Sequence, residues 1–339
     1  MTGTAQHYDR IRATVGVYTP GSSLVAVSGL ERGVVLGRIL AKDSEYVEPD
    51  TARDTLILDE QGGIWDAVIH IELDNTSWLI AQSRTDLAEL LREAAADLED
   101  VEVVDAAEEQ SAVAFEGPKA WRIAANLVDF EISSLVLHGV TAVDLPGAEG
   151  GESGVLARIG TTGEYGYLLL APAGADPLAT VLRQAEALDG GEVDPAALAR
   201  ARAEVRHPQI AEQTAGLTVR EANLEWLVSW NREDEFRGGA ALLEAPAPER
   251  GLVTVSAPAG SAPAAGAAVL AGEVAVGEIR TVFPSAPGAD ELALALLAKP
   301  FDVPGLELHS TAADGSAVTL STVASPVVVP QSWTERIGA

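Results

Sequence analysis

The sequence predicts an α+β protein that ends in a small all-β domain. Short strands alternate with single helices through the first 245 residues. Neighbouring strands are joined by turns too short for a crossover, so they pair antiparallel. Near residue 246 the composition changes to Ala, Pro and Gly, and helical spacing disappears. The chain has 339 residues, 47% hydrophobic and 22% charged, the balance of a globular protein with a buried core.

Residues 14–18 and 23–27 read as strands, and 29–40 carry Val34, Val35 and Ile39 at helical spacing. Strands at 55–58 and 64–73 flank Asp59-Glu60-Gln61-Gly62-Gly63, a hairpin turn whose glycine pair supplies positive φ. A strand at 78–82 leads to a helix at 85–98, with Leu87, Leu90, Leu91 and Ala94 on one stripe. Strands at 101–104 and 112–116, a helix at 118–127, and strands near Val143, at 155–159 and at 167–170 repeat the order. Helices at 178–188 and 195–205 follow; Asp194 and Pro195 are an N-cap and a first-turn proline for the second. The expected domains are 1–245, made of two α+β subdomains, and 246–339, a small β-barrel or sandwich.

Charge and cysteine content narrow the function. Lys+Arg number 22 against 51 Asp+Glu, a formal net charge of −29. Such a chain repels phosphate backbones and anionic lipid heads, so no nucleic-acid or membrane partner is expected. Three of the cations are lysines (Lys42, Lys119, Lys299) and the rest arginines, the better carboxylate clamps. Cysteine is absent, which excludes disulfides, thiolate catalysis and self-ligated iron–sulfur clusters. No signal segment or 20-residue apolar run is visible, and the expected compartment is the cytoplasm. Histidines 7, 70, 138, 207 and 309 show no metal-ligand spacing, so no metal is expected. Gly-x-Gly-x-x-Gly after a strand, the Walker loop and Gly-x-Ser-x-Gly are all missing.

Two segments carry potential chemistry. On a strand, Asp66, Val68, His70 and Glu72 share one face and Trp65, Ala67, Ile69 and Ile71 the other. The first face is either the wet side of a half-buried strand or a row of functional groups. Arg158–Tyr167 holds three glycines, two hydroxyls and Glu164. It is either a hairpin turn or a cradle in which a carboxylate meets the N–H edge of a flat heterocycle.

Together these segments resemble the aminomethyltransferase (glycine-cleavage T-protein) family. Residues 62–69 resemble its Gly-Gly-(V/I)-(I/L)-Asp-Asp-Leu-Ile strand, and Phe115-Glu116-Gly117-Pro118 its Gln-Gly-Pro turn. Residues 158–167 resemble Arg-x-Gly-Tyr-Thr-Gly-Glu-Asp-Gly-Tyr, and 202–206 its Ala-Arg-Asp-x-Leu-Arg. Glu221–Trp226 with Glu235–Gly238, and the 276–297 tail, complete the order from about residue 12 to 330. The sequence departs from the family at Ala67 (Asp), Thr161 (Tyr), Gln82 (Asn) and Pro208 (Glu).

The resemblance implies three subdomains in a ring around a channel that holds tetrahydrofolate. It implies Glu164 at the pterin edge, Arg202 or Arg206 on the folate's carboxylate side, and Gln82, Thr161 and Tyr167 completing the folate set. Asp66 would be catalytic, beside the reacting nitrogen. The expected activity is transfer of a methyl or aminomethyl group from a small molecule to tetrahydrofolate, as in a demethylase. The alternatives are glycine cleavage, whose substrate arrives on a lipoyl carrier protein, and folate binding without catalysis. Because lipoyl carriers are acidic, the net charge leads us to expect a free small substrate and no carrier partner.

Overall fold

A computed structural model describes residues 3–44, 47–145, 153–232 and 235–338. The first part runs α1 (Gly3–Ala13), β1 (Gly16–Tyr18), β2 (Ser23–Ser28), α2 (Arg32–Ile39), β3 (Thr51–Leu58), β4 (Ile64–Glu72), β5 (Thr76–Ala81), α3 (Leu87–Ala94) and β6 (Glu102–Asp105). Then come β7 (Gln110–Glu116), α4 (Ala120–Ala125), β8 (Val140–Asp144), β9 (Ser153–Ala157), β10 (Gly166–Pro172), α5 (Pro177–Glu186), β11 (Gly191–Glu192), α6 (Pro195–Val205), α7 (Ile210–Gln213) and α8 (Gly239–Glu244). The last part is β12 (Arg250–Ala257), β13 (Ala268–Ala271), β14 (Val274–Val282), β15 (Glu291–Ala298), β16 (Glu307–Thr311) and β17 (Ala317–Thr322).

These form two sheets and a barrel. One sheet has the order β11-β1-β7-β10-β9-β8 and the other β3-β4-β5-β2-β6; β12-β15-β14-β13-β16-β17 close on themselves. The barrel strand β15 is apolar on both faces for two reasons. Ala293, Ala295 and Leu297 fill the barrel, while Leu292, Leu294 and Leu296 join a core with Leu56, Leu58, Ala203 and Ile210. Burying each such leucine stabilises the contact by about 1.5–3 kcal/mol. The barrel thus rests against the β3–β4 hairpin and the end of α6.

The hairpin turn forms as its sequence demands. Asp59 Oδ1 accepts the amides of Gln61 and Gly63 at 2.9 and 2.8 Å, an Asx-type closure. Gly62 sits at φ 79°, and a Cβ there would meet the Leu242 nitrogen at 2.9 Å. Helix α6 starts where Asp194 caps the Ala197 amide at 2.7 Å and ends at Arg206, whose φ of 63° turns the chain back. That reversal carries His207 toward β3.

Strand β4 is not half-wet. Asp66, His70 and Glu72 are buried along with Val68, which packs with Val35, Leu36, Leu87 and Leu91 of the helical layer. Ala67, Ile69 and Ile71 face the opposite side. Both faces are covered, so alternation marks two interiors rather than inside and outside.

Candidate active site

A cavity of about 30 Å³, the room of one small group, lies where β3, β4 and β5 meet the end of α6. Ala67 and Ile69 of β4, Ile80 of β5 and Pro20 form its apolar wall. Its polar members are Asp54, Gln82, Thr161, Arg202 and His207. Asp54 pairs with Ile69 across β3–β4, and paired residues of an antiparallel ladder project to the same face. The same register pairs Leu56 with Ala67. His207 Nε2 stands 3.9 Å from Asp54 Oδ1, and neither ring nitrogen of His207 has a hydrogen-bond partner among the described residues.

Gln82 holds the segment carrying this histidine. Its Nε2 donates to Pro208 O at 2.9 Å and its Oε1 accepts the Ile210 amide at 2.6 Å. On the opposite wall Arg202 donates through Nε to Thr161 Oγ1 at 3.0 Å, and its guanidinium lies 5.3 Å from the Tyr18 ring centre. Beneath them Glu116, 1% exposed, collects donors. It accepts the amides of Thr161 and Thr162, both at 2.8 Å, and their hydroxyls at 2.8 and 2.6 Å. Tyr18 O–H donates to it as well. Burial, followed by the charge of Glu116, pushes the Tyr18 phenol above its ordinary value, so it remains a donor. A buried carboxylate with this many charge-assisted bonds fixes the loop that aims Arg202.

Of the residues read from the sequence, Gln82, Thr161 and Arg202 meet at this cavity, and four others do not. The Asp66 carboxylate points to the helical side, where Ser83 and Arg84 saturate it; Ala67 occupies the cavity face instead. Glu164 accepts Arg12 Nη1 at 3.1 Å, the Gln331 and Ser332 amides at 3.3 and 3.0 Å, and the Ser332 hydroxyl at 2.6 Å. With its acceptor sites filled it clamps the C-terminal segment and has none left for a heterocycle edge. Arg206 donates to the Ala222 and Leu252 carbonyls, tying α6 to the barrel. Tyr167 is buried, stacked on Phe115 at 5.6 Å, and burial pushes its phenol up to about 12. Sequence reasoning missed Asp54 and His207, and Glu116 entered it only as part of a turn. Among the described residues no group of three or more His, Asp or Glu is placed to hold a metal ion. Nor, among them, is any helix long and apolar enough to cross a membrane.

Residues 2–232, more than half of the chain, match the family described as the GCVT N-terminal domain. An aminomethyltransferase of Streptomyces coelicolor is 30% identical over 315 residues, covering 89% of this chain and 83% of that one. This chain belongs to the aminomethyltransferase family. An aminomethyltransferase of Thermus thermophilus is 30% identical over 288 residues, covering 82% of this chain and 78% of that one. The solved glycine cleavage system aminomethyltransferase T from Bartonella henselae is 22% identical, with a TM-score of 0.82 over 96% of this chain and 90% of that one, and shares the fold. Membership makes the chain a transferase whose chemistry is one-carbon transfer of the tetrahydrofolate type.

One expectation from the sequence is overturned here. The net charge had argued against a carrier-protein partner, yet the relatives are aminomethyltransferases and the fold is that of the glycine-cleavage component. The physical fault lies in using a total charge. Salt screens exposed charges within about 8 Å, so docking follows the local surface, and −29 overall excludes no acidic partner.

Proposed function

We propose that this aminomethyltransferase passes a one-carbon unit at the aminomethyl level to tetrahydrofolate, with the donor borne on a lipoyl carrier protein. The observation that supports it is the convergence of three family segments, those of Gln82, Thr161 and Arg202, on one cavity. The lining suits the reacting end of a reduced pterin, the one small group for which the cavity has room. Asp54 can accept an N–H bond, His207 offers two unused ring nitrogens, and Arg202 supplies a fixed cation. Bound there, tetrahydrofolate supplies the amine nitrogens that accept the carbon.

The protein's own part is positioning and exclusion. Ala67, Ile69 and Ile80 keep water from the reacting end, which strengthens every electrostatic contact inside. Thr161, anchored by Glu116, holds Arg202 in one orientation. Gln82 fixes the segment that bears His207. Asp66, Glu164, Arg206 and Tyr167 support the site through the surrounding scaffold.

Moving the carbon from an aminomethyl donor to the acceptor frees ammonia. The test therefore measures tetrahydrofolate-dependent ammonia release with the aminomethyl group on a lipoylated carrier and on free dihydrolipoamide. We expect kcat/KM at least about tenfold higher with the carrier, a difference of about 1.4 kcal/mol. Equal values overturn the carrier half of the reading, and no release from either donor overturns the whole.

A further inference from the structure

We infer that Asp54 and His207 are the proton-handling pair of this cavity, and that Asp54 supplies from β3 the carboxylate that this chain lacks at Ala67. The inference rests on the one-carbon-transfer reading and deepens it by naming the reacting groups. Its first support is register. Asp54 is opposite Ile69, and Ala67 is the next residue along the same face of β4, a diagonal neighbour. A carboxylate lost from one strand is therefore replaced from its partner strand, on the face that lines the cavity.

The second support is an unmet valence. His207 is mostly buried, with 14% of its side chain exposed, and both ring nitrogens lack a hydrogen bond among the described residues. Buried polar atoms are nearly always paired, so an unpaired imidazole facing a cavity awaits a ligand. A purely structural histidine would make the bond to Asp54. At 3.9 Å it does not, and the backbone around it is already held by Arg202 O and by Gln82. Catalytic hydrogen bonds are often long in the free protein and tighten around substrate.

The groups facing the pair are cationic. Lys42 lies near enough for Asp54 to act on its ammonium, and Arg202 shares the cavity. Arg53, next to Asp54 on β3, projects the other way and donates to His70 and to the Asp43 carbonyl. Asp54 is thus the acceptor set between these cations and the histidine. As the new C–N bond forms, His207 takes the proton that the acceptor nitrogen loses. It returns that proton to the heteroatom that leaves the carbon with the bonding pair. The cycle runs twice, because the carbon gains two bonds to acceptor nitrogens and gives up two, releasing ammonia in one round and the carrier thiol in the other. Asp54 offsets the positive charge on the imidazolium between the two transfers, and no electrons enter or leave.

The experiment compares the wild type with Asp54→Asn, His207→Gln and the double variant Asp54→Asn/Ala67→Asp. Melting temperature and the affinity for tetrahydrofolate are measured beside turnover. We expect each single variant to lose about 10²–10⁴-fold in kcat with its melting temperature held, and the double variant to regain at least about tenfold over Asp54→Asn. The His207 imidazole resonance gives a readout free of turnover: at fixed pH, tetrahydrofolate added to the wild type should shift it, because an unpaired ring that lines the cavity meets the ligand there. Wild-type turnover together with unimpaired single variants, or a His207 resonance that tetrahydrofolate leaves unmoved, overturns the pair alone. Absence of tetrahydrofolate-dependent turnover in the wild type overturns the one-carbon reading and the catalytic assignment with it. Should His207→Gln fail to fold, the His207 resonance of the wild type and the rescue by Ala67→Asp still decide.

Discussion

The carboxylate of Asp66 accepts both the hydroxyl and the amide of Ser83, at 2.8 and 2.9 Å, and the amide of Arg84 at 2.9 Å. Three donors from one turn bind a buried anion that projects from β4. The bonds fasten the turn between β5 and α3, and Arg84 adds a guanidinium 4.7 Å from the Trp65 ring centre. The aspartate of the family-like strand is here a fastening for the helical layer.

Asp66→Asn should therefore act on stability more than on rate. An amide can keep its oxygen on the two backbone N–H groups and turn its NH2 to the Ser83 hydroxyl, but the negative charge that strengthens all three bonds is lost. The cost is about 1–3 kcal/mol, read from urea unfolding. Turnover per folded molecule should stay within about tenfold of wild type. A variant of unchanged stability whose turnover collapses would return Asp66 to the chemistry.

Glu164→Gln should free the C-terminal segment. Its carboxylate joins Arg12 to Gln331 and Ser332, and the Ser332 hydroxyl also accepts the Tyr165 amide at 2.8 Å. Breaking a buried charged cluster by neutralising one member costs about 3 kcal/mol. Limited proteolysis should then cleave near residue 331 at protease levels that leave the wild type whole. Tetrahydrofolate affinity should change by less than about threefold, measured by titration calorimetry; a large loss would bring Glu164 back to the ligand.

Glu116→Gln tests the opposite wall. The amide cannot satisfy the amides and hydroxyls of both Thr161 and Thr162, so the loop that holds Arg202 loosens. A mispositioned Arg202 should weaken tetrahydrofolate binding by about 1–2 kcal/mol, while Arg202→Lys, which keeps charge but not the fork, should lose a similar amount. Equal affinities in all three proteins would mean that this wall does not touch the folate.

What could be read from the sequence follows from which forces are local. The Asp-Pro opening of α6 and the glycine turn between β3 and β4 are set within four residues, and the chain shows them plainly. Helix α1 is hidden in the sequence because its apolar signal is weak. Only Ile11 is buried, and the helix is held by Arg12 and Tyr8 reaching Glu204 of α6. The alternation of Asp66 and Ala67 was legible, but which face met the cavity was not, since the other sheet and α6 decide it. Asp54 and His207 carry no signal when read apart. Only the left-handed turn at Arg206 brings them together.

The buried pair His70 and Glu72 should make the protein lose stability in acid in two steps. Arg53 Nε donates to His70 Nδ1 at 3.3 Å, so that nitrogen carries no proton, and Nε2–H donates to Glu72 at 3.0 Å. Burial, aided by the charges of Arg53 and Arg32 and opposed by Glu72, holds the imidazole below its ordinary value of 6.5. The unfolded chain then takes up a proton as pH falls through 6.5 while the folded chain does not. Stability falls with pH in that window, by at most about 1.4 kcal/mol per pH unit for this group. Burial works against ionised Glu72, but hydrogen bonds from His70 and Ser77 prevail and hold its carboxyl below the ordinary 4.5. Its contribution is present above that value and is lost as pH falls through the lower folded one. Urea midpoints measured from about pH 8 to pH 3 should show both steps. His70→Gln, which cannot take up a proton, should flatten the upper step and leave the lower one in place. Parallel curves for the two proteins would show that His70 titrates alike in the folded and unfolded chains.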